Sequence, residues 1–254
     1  MKPLSDLLEL SKSIATQAGL RLLDHFGEEH KEFRHSPELP KEIKAVADAV
    51  LEREILQVLT PLGLPILSEE SGHILADAIS DYWIIVDPLD GTFNFVKGLG
   101  PSAVSIAVWK GLQPVFGVIY SLSDRRLVWG GPGLGSFDHD RRISVSDTSI
   151  AGRASICTGL PVRFDLADEQ AMGRFCRNIS CFGKVRMLGS AAVSLVQVAR
   201  GSADAYWEKN IMLWDIAAGL AIVEGAGGRA HWVPGAFENS FDVYASNGII
   251  SRPE

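Results

Sequence analysis

Residues 83–95 read WIIVDPLDGTFNF. Four apolar residues run into two aspartates, Asp87 and Asp90, which flank Pro88 and Leu89 and are followed by Gly91 and Thr92. The apolar run predicts a buried strand over 82–86 that delivers Asp87 at its end. A turn needs only one Asp, and two converging carboxylates repel unless a cation lies between them. In a tight turn between them the Leu89 carbonyl adds a neutral oxygen ligand. If a helix starts at Gly91-Thr92, free backbone N–H groups and the helix dipole face an anion. The segment thus offers cation ligands beside a phosphate cradle.

On either side the pattern alternates between helices and strands. A first helix is predicted over 5–26, with Leu7, Leu10, Ile14, Ala18, Leu22 and Phe26 along one side. The polar stretch 28–42, broken by two prolines, reads as a surface loop or a mobile flap. A second helix is predicted over 42–60, then a short strand over 64–68 that delivers Glu69 and Glu70. Strands follow at 103–109, 115–120 and 126–129, and the Gly-rich 130–136 reads as turns. Beyond the polar stretch near 140–150, strands at 154–158 and 184–188 alternate with helices at 166–178, 190–200 and 214–226. The chain reads as one catalytic domain, with an N-terminal lobe over about 1–145 and a C-terminal α/β lobe over about 146–254.

Composition narrows the function. The 254 residues are 46% hydrophobic and 22% charged, an ordinary globular balance. The net charge of −7 argues against broad nucleic-acid binding, which needs clustered Lys and Arg. A small phosphate substrate stays compatible, because a bound metal reverses the local field. Three cysteines, Cys157, Cys176 and Cys181, give neither a disulfide framework nor zinc spacing. No apolar run reaches the ~20 residues of a membrane span, and the amphipathic N-terminus lacks a signal-peptide core. A cytoplasmic protein is expected.

Four segments place acids after apolar approaches: Asp48 in KAVADAVLE, Glu69-Glu70, Asp87 with Asp90, and Asp215 in WDIAAG. Each alone has an ordinary structural reading. Asp48 fits a solvent-facing helix position, Glu69-Glu70 a capping pair and Asp215 a helix N-cap. Together they form a hard oxygen set of the kind that suits Mg²⁺ with water and phosphate.

These residues carry a resemblance. Glu69-Glu70-Ser71, Asp87 to Phe95 and Trp214 to Gly219, with the intervening stretch 189–208, resemble the inositol monophosphatase family of Mg²⁺-dependent, lithium-sensitive phosphatases. The resemblance implies a layered αβαβα sandwich, in class terms α+β to α/β, that acts as a phosphomonoesterase. It implies that Glu69, Asp87 and the Leu89 carbonyl hold one Mg²⁺, and that Asp87, Asp90 and Asp215 hold a second. A third would lie near Glu69 and Glu70. Thr92 would pair with Asp48 to orient the attacking water, and the Gly91 and Thr92 amides would hold the phosphate. Gly189, Ser190 and Ala191 would face the alcohol part of the substrate, and Glu208 would accept from its hydroxyls. A homodimer is a further family expectation. Where relatives read D-x-V-T-x-x-D, this chain has Lys44 and Ala45 before Asp48.

The family implication leaves the ester open. Phe93-Asn94-Phe95 replaces the Lys-Glu-Phe of relatives that act on nucleoside bisphosphates, so Asn94 and Glu208 tilt the choice toward a polyol or sugar phosphate. Bisphosphate nucleotidase, fructose 1,6-bisphosphatase and histidinol phosphatase are the enzymatic alternatives. A regulatory binding protein on the same fold is the alternative of another class.

Overall fold

The structure, a computed structural model, describes residues 3–25, 33–35, 43–76, 80–161 and 163–252. Two helices open it, α1 (Leu4–His25) and α2 (Val46–Leu59), with strands β1 (Phe33–His35) and β2 (Ile43–Ala45) between them. β1 and β2 pair antiparallel. Two expectations are corrected here. Part of the predicted loop 28–42 is a strand, and the second helix starts at Val46 because 43–45 is already committed to that ladder. Phe26 and the rest of 28–42 lie outside the described residues, as do the side chains of Lys44 and Ala45.

The strands between Ile66 and Ile143 form an eight-stranded sheet. Its strands are β3 (Ile66–Ser68), β4 (Gly72–Ile74), β5 (Tyr82–Asp90), β6 (Ala103–Lys110), β7 (Gln113–Ser121), β8 (Arg126–Gly131), β9 (Gly135–Asp138) and β10 (Arg141–Ile143). Their order is β10-β9-β8-β7-β6-β5-β3-β4, and the β3–β5 pair is parallel. Alternation sorts the side chains by face. Ile84, Val86, Val104, Ile106 and Val108 pack with α1 and α2, while Ile85, Ala107 and Trp109 point to the opposite face. The short helix α3 (Thr92–Lys97) follows β5 directly.

The second half forms a five-stranded sheet of order β12-β11-β13-β15-β14. These are β11 (Ser155–Thr158), β12 (Lys184–Arg186), β13 (Ala205–Met212), β14 (Arg229–Pro234) and β15 (Ser240–Ser246). Helices α5 (Ala191–Ala199) and α6 (Leu213–Gly225) are apolar nearly all round because they lie between the two sheets. Helix α4 (Glu169–Ser180) covers the outer face, where Phe175 stacks on Trp207 with centroids 5.7 Å apart. The layers therefore run α1/α2, sheet, α5/α6, sheet, α4, which is the αβαβα sandwich expected.

One close approach fixes α6. A Cβ on Gly117 of β7 would sit 2.1 Å from the Ala218 carbonyl oxygen, so only glycine lets the helix lie this near the sheet. Trp109 Nε1 donates to the Ala217 carbonyl at 3.2 Å and Ser136 Oγ to that of Ile222 at 2.6 Å. The N-terminal turn of α6, which carries Asp215, is thereby set against the ends of β5 and β6.

Candidate active site

The decisive strand is longer than predicted: β5 runs to Asp90, so both aspartates belong to it. Residues three apart on a regular strand point to opposite faces. Here Asp87 pairs with Ser105 and Asp90 with Ala103, so three steps on β5 oppose two on β6. This bulge re-aims the strand and brings both carboxylates to the inter-sheet side. Pro88, which has no N–H to give a ladder, sits in the irregular part. The Leu89 amide folds back to Asp87 Oδ1 at 2.9 Å.

Asp215 arrives from α6 as the third residue of the helix, not its N-cap, and its Oδ2 accepts from the Met212 amide at 3.3 Å. One carboxylate oxygen from each of Asp87, Asp90 and Asp215 lies within 4.8 Å of the others. Glu69 joins them from the β3 end, where its amide donates to the Val86 carbonyl at 3.2 Å. Asp48 is buried at 3% exposure on α2, not solvent-facing, and its charge bears on Glu69.

The electrostatics follow from this crowding. Burial, then Asp215 and Asp48, push the Glu69 carboxyl well above the usual range. Burial, then Glu69, Asp90 and Asp215, do the same to Asp87. Asp215 is raised by burial, then by Asp90 and Glu208. Burial lifts Asp90 to about 6, against the pull of hydrogen bonds from Ser190 and Ala192. Asp87 Oδ2 is buried with no hydrogen-bond partner among the described residues. Converging hard oxygens, raised carboxyls and an orphaned buried oxygen together fit a divalent cation of the Mg²⁺ type.

Asp90 has a second task. Its carboxylate accepts from the Ser190 hydroxyl, the Ala191 amide at 3.3 Å and the Ala192 amide at 2.9 Å. Ser190 is the N-cap of α5 and also accepts from the Val193 amide. The Ser190 hydroxyl and Ala191 amide, expected to face the alcohol, thus point at Asp90 in this structure. Gly189 takes φ +73°, and a Cβ there would meet Asn94. Asn94 itself is a strut: its Nδ2 donates to the carbonyls of Pro101 at 2.8 Å and Leu188 at 2.7 Å.

Gly91 takes φ +81°, and a Cβ would lie 2.9 Å from the Pro101 carbonyl, so the turn into α3 requires glycine. The Thr92 hydroxyl donates to the Leu89 carbonyl at 3.0 Å. Glu208 on β13 is buried beneath the Tyr206 hydroxyl, which donates to it at 2.8 Å. Burial, opposed by that bond and helped by Asp90, raises Glu208 to about 7. Beside it opens a cavity of about 200 Å³, lined in part by Gly159, Phe164, Arg174 and Trp207.

Two contributors escape a reading of the sequence. Tyr206 is one; its i,i+2 spacing from Glu208 on a strand puts both on one face. Glu52 is the other; it accepts bonds from the Glu70 and Ser71 amides, and its only signal is its position one helical turn after Asp48.

The likeness to known proteins matches this geometry. The model of the inositol monophosphatase family covers residues 4–254. An inositol-1-monophosphatase of Mesorhizobium japonicum is 35% identical across 98% of this chain and 94% of its own. A fructose-1,6-bisphosphatase/inositol-1-monophosphatase of Aquifex aeolicus is 32% identical over the same shares of the two chains. Among solved structures, the extragenic suppressor protein of Bartonella henselae superposes with a TM-score of 0.85 at 32% identity, covering 96% of this chain and 95% of that one. The bulged acidic strand end, the helix-borne Asp215 and these likenesses agree, and the chain belongs to the inositol monophosphatase family.

Proposed function

We propose that the protein is a Mg²⁺-dependent phosphomonoesterase that hydrolyses a small polyol or sugar phosphate. The observation that carries it is the triad of buried Asp87 and Asp90 with half-buried Asp215 beside Glu69, set against the glycine turn at the start of α3. When bound there, Mg²⁺ supplies charge neutralisation and a water acidified toward neutral pH. Glu69, Asp87 and the Leu89 carbonyl would hold one ion. Asp87, Asp90 and Asp215 would hold another, and Glu70 belongs to the surroundings of a third.

The chain's own groups do the rest. The Gly91 and Thr92 amides receive the phosphate. Asp48 and Thr92 orient the attacking water along the line opposite the leaving oxygen, and Asp48 takes its proton. The bond from phosphorus to the ester oxygen breaks as the new one forms, and that oxygen leaves toward the Asp90–Asp215 side, taking a proton from solvent water. Glu208 accepts hydroxyls of the alcohol, and the adjoining cavity of about 200 Å³ takes up the rest of it. Ser190, Ala191 and Gly189 shape that side through Asp90 and Asn94. In this reading the metal groups come mainly from the N-terminal lobe and the alcohol side from the C-terminal one.

Lithium inhibition, a homodimer and a cytoplasmic location belong to the same proposal and rest on the family likeness. Relatives named for fructose 1,6-bisphosphate support that ester as a second substrate. The test is phosphate release from inositol 1-phosphate, fructose 1,6-bisphosphate, adenosine 3′,5′-bisphosphate and histidinol phosphate. Turnover of at least one polyol or sugar ester that stops with chelator is expected. No Mg²⁺-dependent turnover across the panel would falsify the reading.

A further inference from the structure

We infer that Glu52, a residue outside the ligand set, positions the Glu69-Glu70-Ser71 turn and thereby sets the affinity of the site for its cation; the inference rests on the metal reading above. Glu52 is buried at 5% exposure on α2. Asp48 and Glu52 stand four residues apart, hence on one face of the helix. The charge of Asp48 bears on Glu69. Glu52 holds the residues that follow: its Oε1 accepts from the amides of Glu70 at 3.1 Å and Ser71 at 3.0 Å, and its Oε2 from the Ser71 hydroxyl at 2.6 Å.

The turn joins β3 to the three-residue strand β4, at the end of the sheet order. Amides at the tip of such a turn ordinarily face water. Here a buried carboxylate takes them, and burying that charge is costly unless donors converge on it. What the arrangement achieves is a fixed Glu69. Its own amide is tied to Val86, the residue before Asp87, and the two amides after it are tied to α2. Glu69 is thus clamped on both sides and held in register with Asp87. A ligand held this way loses little freedom on binding, and removing such supporting partners typically weakens metal binding about 10- to 100-fold.

The test measures Mg²⁺ binding by calorimetry and by thermal stabilisation of the full chain, with KM and kcat at saturating Mg²⁺ alongside. Glu52→Ala should raise the Mg²⁺ concentration for half-maximal stabilisation about 10- to 100-fold, while KM at saturating Mg²⁺ moves little. Glu52→Gln should stay within about threefold of wild type, because its amide oxygen keeps both N–H bonds and its amide nitrogen can donate to Ser71. A folded Glu52→Ala protein with wild-type Mg²⁺ affinity overturns the inference. If Glu52→Ala does not fold, Ser71→Ala decides: a roughly two- to fivefold weaker affinity supports the clamp, and unchanged affinity overturns it. A wild-type protein with no Mg²⁺ response would instead overturn the parent reading, and this inference with it.

Discussion

Two groups of buried acids in this molecule solve the same problem differently. Asp204, at the start of the strand segment that leads to Glu208, is 7% exposed. Burial pushes its carboxyl up, but the Ser146 hydroxyl, the Ser155 amide, Thr148 and the Ser155 hydroxyl more than offset this, and it ends below the usual range. Two of those bonds are 2.6 Å long. Asp87 is buried too, with Glu69 and Asp215 half-buried beside it, yet these three face one another and all end above that range. Asp204 is complete within the chain. In the proposed reading a cation completes the site acids, and their crowding then marks function where that of Asp204 marks folding.

The sharpest way to break this comparison is Asp87→Asn. The amide keeps the bond from the Leu89 N–H and places a donor where the orphaned Oδ2 stood, facing Glu69 and Asp215. Turnover should fall roughly 10³-fold or more if Asp87 is the ligand that the proposed pair of ions shares. Metal-free protein should melt no lower than wild type. A variant that keeps turnover, or that unfolds in the absence of metal, would place Asp87 among the structural acids.

The pH dependence of stability should separate the groups next. For the site acids the folded pKa is raised, so their contribution is fully present below the ordinary carboxyl pKa of ~4 and is lost as pH climbs through the raised values, about 6 for Asp90. Asp204 works in the opposite sense: its contribution is present above that ordinary value and lost as pH falls through its lowered pKa. Metal-free protein should therefore weaken as pH climbs from about 4 through about 6. Mg²⁺ binds the deprotonated ligands and should restore more at pH 8 than at pH 5, about 2.7 kcal/mol at a hundred times Kd. Melting curves with Mg²⁺ and with chelator across pH check this; a Mg²⁺ effect that does not grow with pH contradicts it.

Asp204→Asn tests the other arm. The amide nitrogen replaces an acceptor that holds either Ser146 or Ser155, leaving a buried donor pair in conflict. A loss of about 1–3 kcal/mol in urea unfolding is expected, with Mg²⁺ affinity unchanged. A shift in Mg²⁺ affinity would mean that the two groups are coupled through β13.

The site was legible in the sequence where acids follow contiguous apolar runs, as at Glu69, Asp87 and Asp215. It was not legible where a residue acts across the fold. Nothing local tells that Asn94 braces Leu188, that Ser190 donates to Asp90, or that Glu52 turns inward. The helices α5 and α6 stood out because burial on both sides makes them apolar nearly all round. Strands β13 to β15 did not: β14 follows burial weakly and β13 carries Glu208, Lys209 and Asn210 in mid-course, with an irregularity after Glu208. Charged function interrupts the period-2 signal there.

Glu208 stands between the two groups and gives the smallest effect. Like Asp204 it accepts a bond from within the chain, the Tyr206 hydroxyl. Like the site acids it is raised, to about 7, with Asp90 adding to the effect of burial. An ionised carboxylate accepts substrate hydroxyls better than a protonated one, so KM for a polyol phosphate should fall as pH rises toward and through neutrality. A cation beside Asp90 cancels that residue's contribution, so the midpoint with Mg²⁺ should lie below the metal-free value. Glu208→Gln keeps the shape that fits against Gly159, where the carboxylate now rests, but removes the titration. KM should rise roughly fivefold and lose its slope between pH 6 and 8, with kcat changed by less than about threefold. Equal pH slopes in the two proteins would assign the titration to the metal ligands and return Glu208 to the structural group.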